Sequence, residues 1–412
     1  MGRIRGPTPA QTLGQLAGLL SGVRLQVTAQ QERNFHLRVR ACLLVLLVRA
    51  RQEVAAHRQR FGITSPPELL AALPGLSGGP SSGSGSTSGD GDATGAEGGG
   101  SLSEEDLAAQ AAPILARIPH LSQQRSLLGL DEASDDEVAE VRCLTLERAR
   151  GRLNALVLEG SAHVAGLEAA EATAAGLAAA ASCSGGEGGS QSPGLHQQQG
   201  RSGAAARAGV AAAGAEAAAA RERMRGCGRR LARLQQLLTV WQPQMQFNVF
   251  TKNFQTGEPC LGMADGNTDL WERVVLAAGW SREEALLAID NNELLHARMA
   301  AVGAAREALS RELQAAAAAP LDGAAGGVAA AGAADEVVEE LEANTRTHLT
   351  AMVQHTQINM ALQSAEQLCR LYAAAYPYPV NTHCCLKVSQ QLMRLRPDEA
   401  FPWASEARWG DA

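Results

Sequence analysis

The densest cluster of residues that could bind a metal lies near the end of the chain. His383, Cys384 and Cys385 are consecutive there, and Cys369 precedes them. Imidazole nitrogen and thiolate sulfur are the ligands that Zn²⁺ prefers, in tetrahedral sites whose spacing lets the chain turn around the ion. Two adjacent cysteines rarely bind one ion, and none of the eight cysteines forms a CxxC pair. Because free cysteine is among the most buried residue types, the pattern favours packed thiols, and no metal site is predicted.

Two other polar groups have suitable residue types without suitable spacing. His348 and His355 lie seven residues apart, on one face of a helix, with no third ligand at helical spacing. Asp265, Asp269 and the 290–293 run lack the spacing of an EF-hand loop. The GxxxxGK[ST], GxSxG and GxGxxG motifs do not occur in a suitable context. The sequence therefore predicts a non-enzymatic protein with no cofactor and no small-molecule ligand.

The cysteines and the apolar runs indicate the cellular compartment in which the protein is expected. The cysteines are scattered along the chain, which favours free thiols in a reducing, intracellular compartment. The first residues, MGRIRGPTPAQ, lack the apolar stretch of a secretory leader. The longest strongly apolar run, Ala41–Val48, is far too short to span a bilayer. We therefore expect no membrane partner.

Charge is distributed unevenly along the chain. The formal net charge is −7, yet residues 1–61 carry ten arginines against only Glu32 and Glu53. A basic segment on an acidic body would allow contact with nucleic acid or with an acidic partner. The simpler interpretation is a solvated face of a helix, and both interpretations stay open.

Residues 1–61 are predicted to form a long amphipathic helix with a coiled-coil pattern. Apolar residues recur there at alternating spacings of three and four, which is the a/d register of a heptad repeat. Gln30 and Asn34 interrupt the row, and a buried Asn can fix the register of a coiled coil. The candidate helix seam comprises Leu13, Leu16, Leu20, Val23, Val27, Asn34, Leu37, Leu44 and Val48. The seam would mediate self-association, unless the same face packs inside the chain against residues 104–180.

The rest of the chain alternates helical segments with stretches of low complexity. Tracts of Ala, Gly and Ser lack the branched and aromatic residues that offset the entropy of ordering, so they are predicted to be disordered. The predicted order is a linker at 76–101, a helical segment at 103–180, a linker at 183–203, a helical segment with an aromatic loop at 204–314, a low-complexity insertion at 315–334, C-terminal helices at 335–396 and a tail at 397–412.

Several helix boundaries follow from capping residues and prolines. Ser103 and the Ser134-x-x-Glu137 capping box each start a helix, and the second helix is expected to continue to about Ala180. A helix over 204–241 ends before Pro243, and a loop is expected at 244–268. Ser281 caps a long helix, and another helix beginning near Asp335 is expected to end at Tyr376.

The helix over 204–241 invites a basic-zipper interpretation because a basic stretch precedes its leucines. That interpretation fails because Gly226 and Gly228 are expected to break the basic part, and no Asn is present there to contact a base edge. We therefore predict a packing helix with a solvated arginine face.

The predicted fold is all-α, with long helices and helical hairpins around one modest core at 231–396. Aromatic side chains contribute the largest burial terms, and 12 of the 14 aromatic residues lie between Trp241 and Trp409. The candidate core comprises Trp241, Trp271, Trp280, Leu294, Val302, Leu349, Met360, Leu371 and Tyr376.

The string GWSREEAL at 279–286 resembles a short string found in PAS sensor domains. Such a domain needs a five-stranded sheet, whereas the flanking sequence is helical. A sensor is therefore the weakest of the functional alternatives.

A longer resemblance covers residues 270–395. The sequence over 270–314 and the later SAEQLCRLYAAAYPYP string resemble the helical region that follows the zipper in bZIP-type, transcription-factor-like proteins of algae. The residues that carry the resemblance are Trp271, Gly279, Leu286, Leu294, Val302, Arg306, Leu309, Gln367, Leu371, Tyr376 and Pro377. The resemblance implies a nuclear protein of transcriptional regulation, with DNA as a partner, although this chain has no recognisable basic region.

Three functions are therefore open. The first is a non-enzymatic interaction protein associated with transcription, the second is a self-associating coiled-coil scaffold without a DNA role, and the third is the PAS-like sensor. The expected partner is another protein or a second copy of the chain.

Overall fold

A computed structural model describes residues 9–63, 103–183, 196–260, 267–318 and 324–395. These residues form twelve helices and no sheet, apart from one isolated bridge between Lys252 and Pro259. The prediction of an all-α fold is therefore confirmed.

Five of the described helices are long, with 37 to 52 residues each, and the other seven are short. In chain order they are α1 (Pro9–Arg60), α2 (Glu104–Leu115), α3 (Pro119–Gln123), α4 (Asp135–Arg142), α5 (Leu146–Cys183), α6 (His196–Trp241), α7 (Pro243–Phe250), α8 (Thr268–Ala278), α9 (Arg282–Ala318), α10 (Ala324–Ala361), α11 (Ala365–Ala375) and α12 (Thr382–Leu395).

Two antiparallel hairpins and α1 form the frame. Helices α5 and α6 pair along their length, and α9 pairs in the same way with α10. Helix α1 packs against α2 and against the second hairpin. Helix α11 lies between α5, α6 and α8, and α12 packs on α8 and α9, so the short C-terminal helices join the two hairpins.

Serine capping boxes define four of the helix starts. Ser103, Ser134, Ser281 and Ser364 each accept a hydrogen bond from the backbone N–H three residues later, and the side chain at that position accepts one from the serine N–H. These reciprocal bonds satisfy donors that a helix start leaves unpaired. The first three starts are the predicted ones.

Glu284 extends its capping box into a junction between three elements. Its carboxylate accepts hydrogen bonds from the Ser281 N–H at 2.7 Å and from Gln367 Nε2 at 2.9 Å, and His120 Nδ1 lies 3.5 Å away. Burial lowers the pKa of His120 below its ordinary value, although the Glu284 carboxylate opposes that shift. A buried carboxylate is tolerated where it is hydrogen-bonded in this way, so Glu284 fixes α9 to α3 and α11.

The main core is larger than the predicted one. It includes α1 from Val39 to Ala50 and the segment 111–157, in addition to residues from 231 onwards. The apolar run Ala41–Val48 is buried or half-buried at every position, which explains why an eight-residue run that is too short for a membrane is nevertheless strongly apolar.

Most of the candidate core residues are buried. Trp271 and Trp280 are only 3% and 4% exposed, as predicted. Val302, Met360 and Leu371 are also buried, whereas Trp241, Leu294, Leu349 and Tyr376 are half-buried.

Two predicted long helices are each divided in the structure. The helix expected over 134–180 is interrupted at 143–145, where Thr145 Oγ1 accepts a bond from the Arg148 N–H at 3.4 Å. The helix expected to end at Tyr376 ends instead at Ala361, and the capping box of Ser364 starts α11. In both places a serine or threonine side chain accepts a hydrogen bond from a backbone N–H that would otherwise bond to a carbonyl of a continuous helix.

Parts of the predicted linkers and loops are helical. Helix α6 begins at His196 and α10 at Ala324, so they include portions of 183–203 and 315–334. Alanine has the highest helix propensity, and each tract continues directly into a packed helix. The expected loop at 244–268 contains α7. The linker predicted at 76–101 and the tail at 397–412 lie outside the described residues.

The glycines at 226 and 228 do not break α6, contrary to the prediction. The helix is continuous from His196 to Trp241. A Cβ atom on Gly228 would overlap the backbone carbonyl of Ala365. Gly228 therefore permits a close approach between α6 and the start of α11, which explains its place in a helix.

The burial of the two tryptophans gives a stability prediction. We expect Trp271→Ala and Trp280→Ala each to lower the free energy of unfolding by about 3–5 kcal/mol, the usual cost of truncating a buried aromatic residue. Chemical denaturation followed by circular dichroism measures this change. The exposed Leu158 supplies the control, because Leu158→Ala should cost well under about 1 kcal/mol. A similar cost for all three variants would contradict the assigned core.

Candidate interaction surface on the first helix

Helix α1 divides into a free half and an anchored half. Every residue from Ala17 to Asn34 is exposed, whereas Val39, Cys42 and Leu46 are almost completely buried. We call residues 17–34 the free half and residues 39–60 the anchored half. The helix is continuous through both, so the anchored half determines where the free half projects.

Glu53 is a main anchor. Its carboxylate accepts hydrogen bonds from the N–H groups of Leu127 at 2.6 Å and Leu128 at 2.8 Å, and from the Ser126 hydroxyl at 2.9 Å. Bonds to an ionised acceptor are stronger than neutral ones. One side chain of α1 thereby holds the loop between α3 and α4.

The end of the anchored half is held at the junction of α6 and α4. Trp241 Nε1 donates to His57 Nε2 at 3.1 Å, and Arg58 donates to the Val240 carbonyl at 3.3 Å. Burial lowers the pKa of His57, which favours the neutral ring that accepts this bond. Arg60 forms an ion pair with Asp135.

A third anchor joins α1 to the α9–α10 hairpin. The guanidinium groups of Arg51 and Arg298 both donate to Gln354 Oε1, at 3.2 Å and 2.9 Å. Burial lowers the pKa of Arg51, and the charge of Arg298 adds to that effect. The amide oxygen of Gln354 is therefore shared by two cations in the interior.

The free half leaves the body beside Phe35. The guanidinium groups of Arg282 and Arg117 lie 5.4 Å and 6.0 Å from the centre of the Phe35 ring, within the range of cation–π interactions. Arg282 also pairs with Glu32 at 3.3 Å. These are the contacts nearest to the free half, and they hold its base.

The predicted seam residues fall on both halves. Leu20, Val23 and Val27 are 61%, 53% and 50% exposed. Two others, Leu37 and Asn34, are also exposed, and Asn34 Oδ1 accepts only a local bond from Gln30 at 3.3 Å. The structure thus brings part of the predicted row together as an uncovered apolar strip.

The remaining seam residues do not belong to that strip. Leu44 and Val48 are half-buried in the body, so for them packing within the chain replaces a seam between chains. The side chains of Leu13 and Leu16 lie outside the described part of the structure.

The residues that anchor α1 were missed by the heptad pattern. Cys42, Leu43, Leu46 and Leu47 are buried, and all four lie off the seam row. Their signal in the sequence was the unbroken apolar run Ala41–Val48, because a helix that is apolar all round is buried on all sides.

The other candidate sites give less indication of a function. Within the described ranges, His, Cys, Asp and Glu side chains form no group able to hold a metal ion. Cys384 and Cys385 are buried, whereas His383 is exposed and stacks edge-on against His296. No described helix has both the length and the apolar character to cross a membrane.

The two histidines predicted to share a face have separate surroundings. His348 Nδ1 lies 3.4 Å from an Arg306 nitrogen. His355 is mostly buried, and this burial lowers its pKa to about 4, so the ring is neutral and its Nε2 accepts a bond from the Asn359 amide at 2.9 Å.

A cavity of about 250 Å³ lies beside Phe250, Trp271, Tyr378 and Cys260. Its lining residues include no Asp, Glu, Lys, Arg or His. We assign it no role.

No family model matches this chain, and neither does any curated protein or solved structure.

The anchor at Glu53 can be tested by removing its charge. We expect Glu53→Gln to lower the free energy of unfolding by about 1–3 kcal/mol, because three donors would lose an ionised acceptor. Thermal and chemical denaturation measure the effect. The exposed Glu216 is the control, and Glu216→Gln should change stability by less than about 0.5 kcal/mol. Equal effects of the two substitutions would show that Glu53 does not anchor the helix.

Proposed function

We propose that this protein is a non-enzymatic helical interaction protein and that the free half of α1 binds a second copy of the chain. The single observation that carries the proposal is the exposed row of Leu20, Val23 and Val27 at heptad spacing. Soluble monomers seldom expose apolar side chains in a continuous row, and rows of this kind mark interaction sites.

The free half also needs a partner for its own stability. Gly18 and Gly22 lie within it, and each glycine in a helix costs about 1 kcal/mol relative to alanine. The anchored half nucleates the helix, which removes the largest cost of helix formation. Pairing would supply the burial that the isolated free half lacks, at about 25 cal/mol for each Å² of apolar surface covered.

The charges favour an antiparallel pair over a parallel one. With Leu20 and Val27 at a positions, Arg33 and Arg38 occupy g and e positions, which face each other between parallel chains. Like charges would then meet near the base of the free half. In an antiparallel pair Leu20 of one copy lies opposite Val23 of the other, and the two bodies lie at opposite ends.

This antiparallel register places the polar interruptions toward the ends of the seam. With Leu20 opposite Val23, Gln30 and Asn34 fall opposite positions 13 and 9, and α1 begins at Pro9. The polar layers then lie near the ends of the pair, and the centre of the seam is apolar.

A role in nuclear transcriptional regulation is proposed on the resemblance to the algal bZIP-type proteins alone. The basic face of α6 gives it little support, because Arg221, Arg230 and Arg233 form ion pairs with glutamates of α5 and of the segment around α4. Titration of labelled duplex DNA with the full chain tests this role. Affinity that falls steeply with salt would support it, whereas no binding would favour the scaffold alternative.

The PAS-like alternative needs a sheet, and the described residues around GWSREEAL are helices α8 and α9. We do not propose a sensor function.

Substitution in the exposed row tests the self-association. We expect the full chain to form dimers at tens of micromolar in sedimentation equilibrium, and Val23→Glu to weaken the dimer at least about tenfold, because a charge would be buried in the seam. Leu25→Glu is the matched control. Leu25 is 70% exposed on the same helix but lies off the row, so its substitution should leave the dimer intact. A monomeric wild-type chain at about 100 μM, or equal effects of both variants, would contradict the proposal.

Asn34→Leu tests the orientation. In the antiparallel pair Asn34 lies at the end of the seam, opposite the first residue of α1, and the association constant should change less than about twofold. In a parallel pair it would occupy an a position in the seam, where leucine strengthens association and relaxes the choice of oligomer. Marked strengthening would therefore overturn the antiparallel arrangement while leaving self-association intact.

A further inference from the structure

Two buried cysteines from distant parts of the sequence meet where three helices converge. Cys227 of α6 and Cys369 of α11 are almost completely buried. They belong to a small cluster with Met224 and Leu167 that is separate from the main core. Both thiols are free.

Two glycines allow the thiols to approach one another. A Cβ atom on Gly160 of α5 would lie 3.3 Å from the Cys369 sulfur and 3.6 Å from the Cys227 sulfur, so both sulfurs occupy the space beside that glycine. On the opposite side, Gly228 lets the start of α11 contact the backbone of α6. A larger residue at either place would separate the helices that carry the cysteines.

The thiols interact with each other and with the helix backbones. Cys227 donates to the Leu156 carbonyl at 3.2 Å and Cys369 to the Met224 carbonyl at 3.3 Å. Because each thiol has a single proton and gives it to a carbonyl, the two sulfurs lie beside one another without a hydrogen bond between them. Their shared position beside Gly160 is the starting arrangement from which rotation of the side chains would bring the sulfurs to bonding distance.

We propose that Cys227 and Cys369 form a reversible redox pair whose disulfide fastens α11 to the α5–α6 hairpin. The proposal concerns a site apart from the free half of α1 and does not depend on self-association.

Cys227 is the thiol that reacts first. Contact with Cys369 lowers the pKa of the Cys227 thiol and Arg230 acts in the same direction, whereas burial and the charge of Glu159 oppose the shift. Contact with Cys227, together with burial, raises the pKa of Cys369. A cavity of about 340 Å³ is lined by Leu156, whose carbonyl accepts the Cys227 bond, and by Arg230, the cation near Cys227. Cys227 itself is completely buried, so a small peroxide would reach its sulfur from this cavity only when the side chains between them move.

The reaction with hydrogen peroxide is balanced. The Cys227 thiolate attacks one peroxide oxygen, an S–O bond forms, the O–O bond breaks and the leaving hydroxide takes up a proton as water. The Cys369 sulfur then attacks the Cys227 sulfenic acid, the S–S bond forms, and hydroxide leaves and is protonated to a second water. Two thiols and one peroxide give one disulfide and two waters, and a thiol reductant reverses the change.

The disulfide would add a covalent link between α6 and α11, which now touch through noncovalent contacts such as the hydrogen bond from Tyr372 to Gln235. It would cross-link residues far apart in the sequence and so restrict the unfolded chain. The oxidised protein should therefore be the more stable form, with α11 held against α6.

The test uses the full chain treated with a small excess of hydrogen peroxide under native conditions. After alkylation of the remaining thiols in denaturant, peptide mapping should find a peptide pair linked through Cys227 and Cys369 that disappears on reduction. The oxidised chain should melt several degrees above the reduced one. Absence of the linked pair, or its formation only after unfolding in urea, would overturn the proposal.

Variants separate this pair from general oxidation. Cys227→Ala and Cys369→Ala should each abolish both the linked pair and the rise in melting temperature, whereas Cys42→Ala should retain both. Cys42 is equally buried but burial alone raises its pKa, to about 12. A rise in melting temperature that persists in Cys369→Ala would contradict the assignment. If an alanine variant fails to fold, the linked pair in the wild-type chain decides the question.

Discussion

The continuity of α1 is the constraint on which the rest of the structure depends. One helix passes from the core of the protein into solvent. It has no break, so its buried and exposed parts share one direction. The anchored half is fixed by Glu53, His57 and Arg51 to three different parts of the body. Because those contacts fix the orientation of the helix, they also hold the free half away from the apolar surfaces of the described residues.

The interior tolerates many polar groups because most of them join helices. Glu284 connects α9 to α3 and α11, and Gln354 connects α1 to the α9–α10 hairpin. Asn291 donates to Asn359 Oδ1 at 3.0 Å and so joins the two helices of that hairpin. Such bonds contribute little net energy, but an unpaired buried partner is costly. Ala-rich helix surfaces discriminate poorly between alternative packing arrangements. The buried hydrogen bonds therefore select one arrangement.

Much of the fold was readable from the sequence where a local signal existed. The capping residues Ser103, Ser134 and Ser281 identified helix starts, and the grouping of aromatic residues located the buried Trp271 and Trp280. The heptad row identified a face of α1 correctly as apolar. A heptad row shows only which face of a helix is apolar. It could not reveal that the first half of that face stays uncovered whereas the second half packs in the core.

What could not be predicted depends on tertiary contacts. Gly228 has the sequence signature of a helix breaker, and only the position of Ala365 shows that it serves close packing. Ser364 divides a helix that was expected to continue from near Asp335 to Tyr376. The meeting of Cys227 and Cys369 joins distant segments and leaves no spacing signal. The tracts at 183–203 and 315–334 were expected to be disordered, yet parts of both are helical because alanine next to a packed helix extends it.

Hydrogen exchange as a function of protein concentration tests the central claim most directly. The account predicts that amides of residues 39–58 are protected at every concentration, since they belong to the core of a single chain. Amides of residues 17–34 should exchange rapidly at about 1 μM and become protected at about 100 μM, as pairing covers the free half and stabilises its helix. Protection of residues 17–34 that does not change with concentration would contradict the account.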